Sequence, residues 1–160
     1  PTLRQHGLLG DYHSVSCPTN QRKLPTETNL DQLASMYQNK SNQGYQRLTK
    51  DAGGDYAYSL GYDNEGSLTG LTNKSAGDAP ILADKTNPST SNMAMNHGGS
   101  GNNVLFVGGH VRWLPARKQN GIGDNIFLNE DHKILAGKHL QDHVLAPSHS
   151  RPYGDSGSPD

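Results

Sequence analysis

The chain has 160 residues, enough for one domain but too few for two that each bury a core. Only 31% of the residues are hydrophobic, with two Phe and one Trp, so the sequence predicts a small core under long polar loops. Fourteen basic and fifteen acidic residues are interspersed without a basic stripe, which argues against nucleic acid as a ligand, and no run approaches the ~18 apolar residues of a membrane span.

In chain order, Gly7, Gly10, Pro18 and Pro25 break up the first 29 residues and leave one short edge segment over 12–18. Cys17 is the chain's single cysteine, which excludes an intramolecular disulfide and any CxxC site. It reads as a reduced, partly buried thiol, with an intermolecular disulfide or a reactive thiol as the alternatives. Residues 26–38 predict a short helix. Leu30, Leu33, Ala34 and Tyr37 fall on one helical face, behind Asn29 as N-cap and Gln32 as its capping-box partner.

Over 55–62, Tyr56, Tyr58 and Leu60 alternate as in a half-buried strand, and the "DNEGS" after them predicts a turn. Residues 79–85 carry the apolar triplet of a second strand. An Asn/Ser/Gly-rich loop follows to Asn103. "NVLFVGGHVRWL" then sets two apolar runs about Gly108-Gly109, predicting a two-residue hairpin between 103–107 and 110–114 that Pro115 ends. A further short strand is expected at 125–131, at best a helical turn at 138–145, and a Pro/Ser/Gly tail at the end. The sum is an α+β domain over residues 1–150, one N-terminal helix and a small antiparallel sheet, with a flexible tail at 151–160.

Catalytic patterns are missing. There is no GxSxG, and the glycines at 98, 99 and 101 precede a strand rather than a helix N-terminus, so no phosphate cradle is expected. "HLQDH" (139–143) lacks the glutamate of HExxH, and "DNEG" lacks the closing Glu of a calcium loop. One group remains. If strands 79–85 and 103–114 share a sheet, Asp84, His97 and His110 gather at one end of it. They would either bind a divalent cation, calcium for example, or hold the Asn-rich loop by hydrogen bonds. The structural network is the plainer reading, because buried polar groups need partners with or without a ligand.

The stretch "APILADKTNPSTSNMAMNHGGSGNNVLFVGGHVRWL" resembles a large bacterial family of pilin-like proteins with a prepilin-type cleavage and methylation segment, similar to the general-secretion major pseudopilins. The matching elements are Ala83-Asp84, Asn96-His97, Asn103 to Phe106 and Gly109-His110-Val111. "SCPTN" (16–20), "GDYAYSLGY" and "DHVLAPSHSRP" extend the likeness over most of 12–152. Where the family has an Asp before the turn glycine this chain has Gly108, and the family's long hydrophobic N-terminal helix has no counterpart in it. The resemblance implies a pilin-like head in the periplasm or outside the cell. Such a head would be a non-catalytic module that associates with itself or a larger complex, with Cys17, Asn96, Asn103, Gly108 and Gly109 as motif residues and no cofactor. The alternative is a periplasmic module that binds a metal or small ligand.

Overall fold

Alternation along the strands organises the molecule around one antiparallel sheet. The computed structural model describes Cys17 and residues 54–85, 96–115 and 125–154. Within them lie β1 (Tyr56–Ser59), β2 (Tyr62–Asn64), β3 (Ser67–Thr69), β4 (Pro80–Asp84), β5 (Gly101–Phe106), β6 (Val111–Pro115) and β7 (Leu145–Pro147). Five form a sheet in the order β6-β5-β4-β1-β7, all neighbours antiparallel, and β2 and β3 form a separate hairpin. A parallel bridge from Tyr62 to Gly137 ties that hairpin to the C-terminal loop.

Side chains one residue apart point to opposite faces of a strand, so register assigns every residue to a side. Ala57 pairs with Ala83 and Ala83 with Val104, which draws one buried row across three strands. With Phe106 and Leu145 this face packs on Ile126 and Phe127, and Leu114 closes the edge. The small Ala57 and Ala83 leave room for Ile126, whose carbonyl accepts the Leu145 N–H at 2.7 Å. Fully burying a side chain such as Phe106 or Ile126 stabilises by about 1.5–3 kcal/mol, so this short list is the main apolar contribution of the described residues. The opposite face carries Tyr56 against Asp84, Tyr58 against Leu82, Leu82 against Leu105, and Asn103 against Trp113.

The α+β expectation is corrected. The described residues hold no helix and are antiparallel β in two sheets. The helix expected over 26–38 lies outside the described residues, as does most of the edge segment at 12–18. The sequence does not separate out β2, β3 and β7, because each is only three residues long, too short for a period to register. The "DNEGS" turn is the tip of the β2–β3 hairpin, with Glu65 at φ 53°. The chain over 138–145 makes one turn, Asp142 N–H to the His139 carbonyl at 3.0 Å, and then enters β7. The strand expected at 125–131 is instead a run of turns in which Ile126 and Phe127 plug the core.

The β5–β6 hairpin exists, but not with a two-residue turn. Gly109 donates to the Phe106 carbonyl at 2.9 Å and Phe106 to the His110 carbonyl at 3.0 Å, with Gly109 left-handed at φ 79°. This is a three-residue loop with a glycine bulge. It is held from outside by bonds from Val107 to the Ala79 carbonyl (2.9 Å) and from Gly108 to the Gly77 carbonyl (2.8 Å). The register therefore shifts, and Trp113 stands opposite Asn103 rather than Val104.

Candidate metal centre

Polar side chains collect where β4 ends and β5 begins, on the face away from the core. Asp84 is the last residue of β4 and is 3% exposed. Its Oδ2 accepts the Asn103 backbone N–H at 2.7 Å and the Asn103 side-chain Nδ2–H at 3.1 Å. His97 Nε2 stands 2.9 Å from the same oxygen.

Local backbone shape delivers the imidazole. Gly98 and Gly99 follow His97 with φ of 60° and 80°, and Ser100 N–H donates to the His97 carbonyl at 3.1 Å. Two left-handed residues in succession are cheap only for glycine. They curl the chain so that His97, four residues before β5, lies back over Asn103. Asn96 anchors this turn by donating its Nδ2–H to the Asp55 carbonyl at 2.7 Å, the same oxygen that accepts the Lys85 N–H at 2.9 Å. One carbonyl thus fixes the neighbour of His97 and the neighbour of Asp84. Trp113 packs edge-on against the His97 ring, with centroids 5.2 Å apart and planes at 84°.

The third member comes from far away in the chain. Cys17 is buried and is in no disulfide. Its N–H donates to Asp55 Oδ2 at 3.0 Å, and its Sγ lies 3.9 Å from His97 Nε2, across 80 residues of sequence. The Cys17 sulfur, an Asp84 oxygen and a His97 nitrogen all lie within 4.8 Å of one another. Tyr56, opposite Asp84, feels the surroundings. Burial, then the negative charges of Cys17, Asp84 and Asp55, hold its hydroxyl above the ordinary phenol value.

The geometry can be compared with a tetrahedral zinc site. Zinc bonds to sulfur of about 2.3 Å and to nitrogen or oxygen of about 2.0–2.1 Å imply S···N edges of about 3.6 Å and N···O edges of about 3.3 Å. The S···N and N···O separations here, 3.9 and 2.9 Å, differ from those edges by a few tenths of an ångström, while the S···O edge, ideally about 3.6 Å, is bounded at 4.8 Å. Zinc, a borderline cation, accepts a soft thiolate, an imidazole and a hard carboxylate together, whereas calcium takes six to eight oxygens.

Of the three residues grouped from sequence, Asp84 and His97 meet and His110 does not join them. His110 follows the other end of β5, where its ring stacks on Phe106 at 4.8 Å and 6° and Arg112 lies 4.3 Å above the same Phe106 ring. Gly108 and Gly109 shape the loop at that end. Cys17 as a partner of His97 had no local signal.

A second buried carboxylate, Asp142, sits in the loop after the core plug. Its Oδ2 accepts backbone N–H groups of Lys138 (2.7 Å) and Glu130 (3.2 Å). Asn129 beside it accepts from Asp131 and Lys133 and donates to the Ala136 carbonyl. Outside this knot His139 pairs with Glu130 at 2.8 Å and Lys138 with Asp131 at 2.6 Å, both exposed.

A scan against protein-family models, a search of curated proteins and a search of solved structures each find no match. Among the described residues no helix is long and apolar enough to cross a membrane.

Proposed function

We propose that this chain is a metal-binding module in which Cys17, Asp84 and His97 hold one divalent cation of the zinc class. The observation that carries this reading is the convergence of three chemically different donors from three separate chain segments within 4.8 Å. Metal binding would release the Cys17 thiol proton, so that a thiolate and the Asp84 carboxylate together offset the charge of the dication while His97 binds as neutral imidazole. His97 supplies the nitrogen, Cys17 the sulfur and Asp84 an oxygen whose direction is set by the Asn103 N–H. Titrating the full chain with Zn²⁺ by calorimetry tests this. The expected result is one ion per chain, lost in a Cys17→Ser, His97→Ala double variant; equal binding by that variant would contradict it.

A second reading, a pilin-like head of an exported assembly, has an observation of its own. β6 is the terminal strand of the five-stranded sheet, and Val111 (60% exposed) and Trp113 (44% exposed) stand out from it. Among the described residues no strand pairs with the outer edge of β6, and an edge with exposed apolar side chains is a place for another strand to add, a second copy of the chain being the partner this reading names. Sedimentation over a range of concentrations would show self-association that Val111→Lys abolishes. A wild-type monomer at the highest concentration would count against it.

A further inference from the structure

Three protein ligands leave one corner of a tetrahedron, and whether that corner is open decides what such a centre can do. We infer that Asn103 closes it through its side-chain oxygen, making the centre a four-ligand structural site rather than one with a vacant position for a reacting water. This inference rests on the metal-binding reading above.

Asn103 Nδ2 lies 3.1 Å from Asp84 Oδ2 and 3.4 Å from His97 Nε2. Ligand atoms around one tetrahedral zinc are separated by about 3.3 Å when both are nitrogen or oxygen. The end of the Asn103 carboxamide therefore already stands at ligand spacing from two of the proposed donors. Register keeps it there, since Asn103 is paired with Trp113 across the β5–β6 hairpin and its own N–H is bonded to Asp84 at 2.7 Å.

Charge then decides which end of the amide faces inward. Without a cation, Nδ2–H donating to the Asp84 carboxylate is the favourable arrangement. With a dication beside Asp84, the same N–H dipole would point its positive end at the ion. Rotation about the terminal side-chain torsion by half a turn exchanges Nδ2 for Oδ1 at almost the same position. That torsion is broad and roughly two-fold in asparagine, so the exchange needs no backbone movement. Asn103 is solvent-exposed, so nothing in the core has to give way. Its backbone N–H continues to hold Asp84 after the flip, which separates its two jobs. The main chain orients a ligand while the side chain becomes one.

The competing arrangement puts a water at the fourth corner. Cobalt(II) distinguishes the two, because its visible spectrum reports the donor set and geometry directly. The 160-residue chain would be titrated with Co²⁺ as wild type, Asn103→Ala and Asn103→Asp. Closure by Asn103 predicts a tetrahedral spectrum that changes shape in Asn103→Ala, with affinity falling about tenfold or more, the scale on which even supporting groups act. Asn103→Asp, with an anionic oxygen in the same place, restores the tetrahedral spectrum and binds at least as tightly as wild type. A spectrum identical in wild type and Asn103→Ala would overturn the inference while leaving the three-ligand centre standing. A wild-type chain that takes up no Co²⁺ or Zn²⁺ would remove both.

Discussion

Asp84 and Asp142 are both buried carboxylates, 3% and 2% exposed, yet the fold holds them by opposite means. Asp142 is wired locally. Its partners are backbone N–H groups four and twelve residues away, and among the described residues nothing hydrogen-bonds its other oxygen, Oδ1. Asp84 takes side-chain and backbone contacts from the 96–103 segment and shares its surroundings with a thiol from residue 17. Backbone amides neutralise a carboxylate by dipoles that cannot leave, which suits a staple. Side chains from separate segments can rotate and exchange partners, which suits a ligand site. Burial alone does not separate structure from function; the chemistry and sequence distance of the partners do.

That contrast can be broken in three steps of decreasing size. The largest expected effect is at the staple. Asp142→Ala leaves the Glu130 and Lys138 N–H groups without their acceptor, so denaturant unfolding should show a loss of about 2–4 kcal/mol. Zinc binding by the folded fraction should be unchanged.

Next comes the same isosteric change at both sites. Asp142→Asn keeps an oxygen for the two N–H groups and removes a buried charge, so its stability should stay within about 1 kcal/mol of wild type. Asp84→Asn is expected to fold as well, but zinc should no longer raise its melting temperature. In the wild type, zinc at 100 times its Kd stabilises by about 2.7 kcal/mol. Equal zinc responses from the two Asn variants would erase the distinction drawn here.

The smallest effect is at the rim of the staple. The hydrogen bond to Glu130 is the main reason that His139 titrates above the ordinary imidazole value. A raised folded-state value means that the contribution is fully present below the unfolded value of about 6.5 and is lost as pH rises through the folded one. Both groups are exposed, so screening limits it to a few tenths of a kcal/mol. Proton NMR should place the His139 midpoint above 6.5, moving down in Glu130→Gln.

Much of the sheet was legible because its longer strands carry apolar runs bounded by Gly or Pro: Tyr56 to Ser59, Pro80 to Asp84, and the two arms of the hairpin. The turn type was not, because Gly108-Gly109 suits both a two-residue and a three-residue loop. The choice is made by bonds from Val107 and Gly108 to the carbonyls of Ala79 and Gly77, far earlier in the chain. Half of the candidate site was legible for a related reason. Asp84 and Asn103 flank antiparallel neighbours, so His97 just before β5 belongs at the same end. His110 was misplaced because it follows the opposite end of β5, which antiparallel pairing carries away from Asp84. Cys17 sits in a segment without periodicity, and no sequence rule reaches across the 80 residues to His97.

The most direct test of the central claim is X-ray absorption at the zinc edge on the full chain loaded with one equivalent of Zn²⁺. One sulfur at about 2.3 Å and nitrogen or oxygen neighbours at about 2.0–2.2 Å are expected, with the sulfur shell gone in Cys17→Ser. A shell of oxygen and nitrogen alone in the wild type would contradict it.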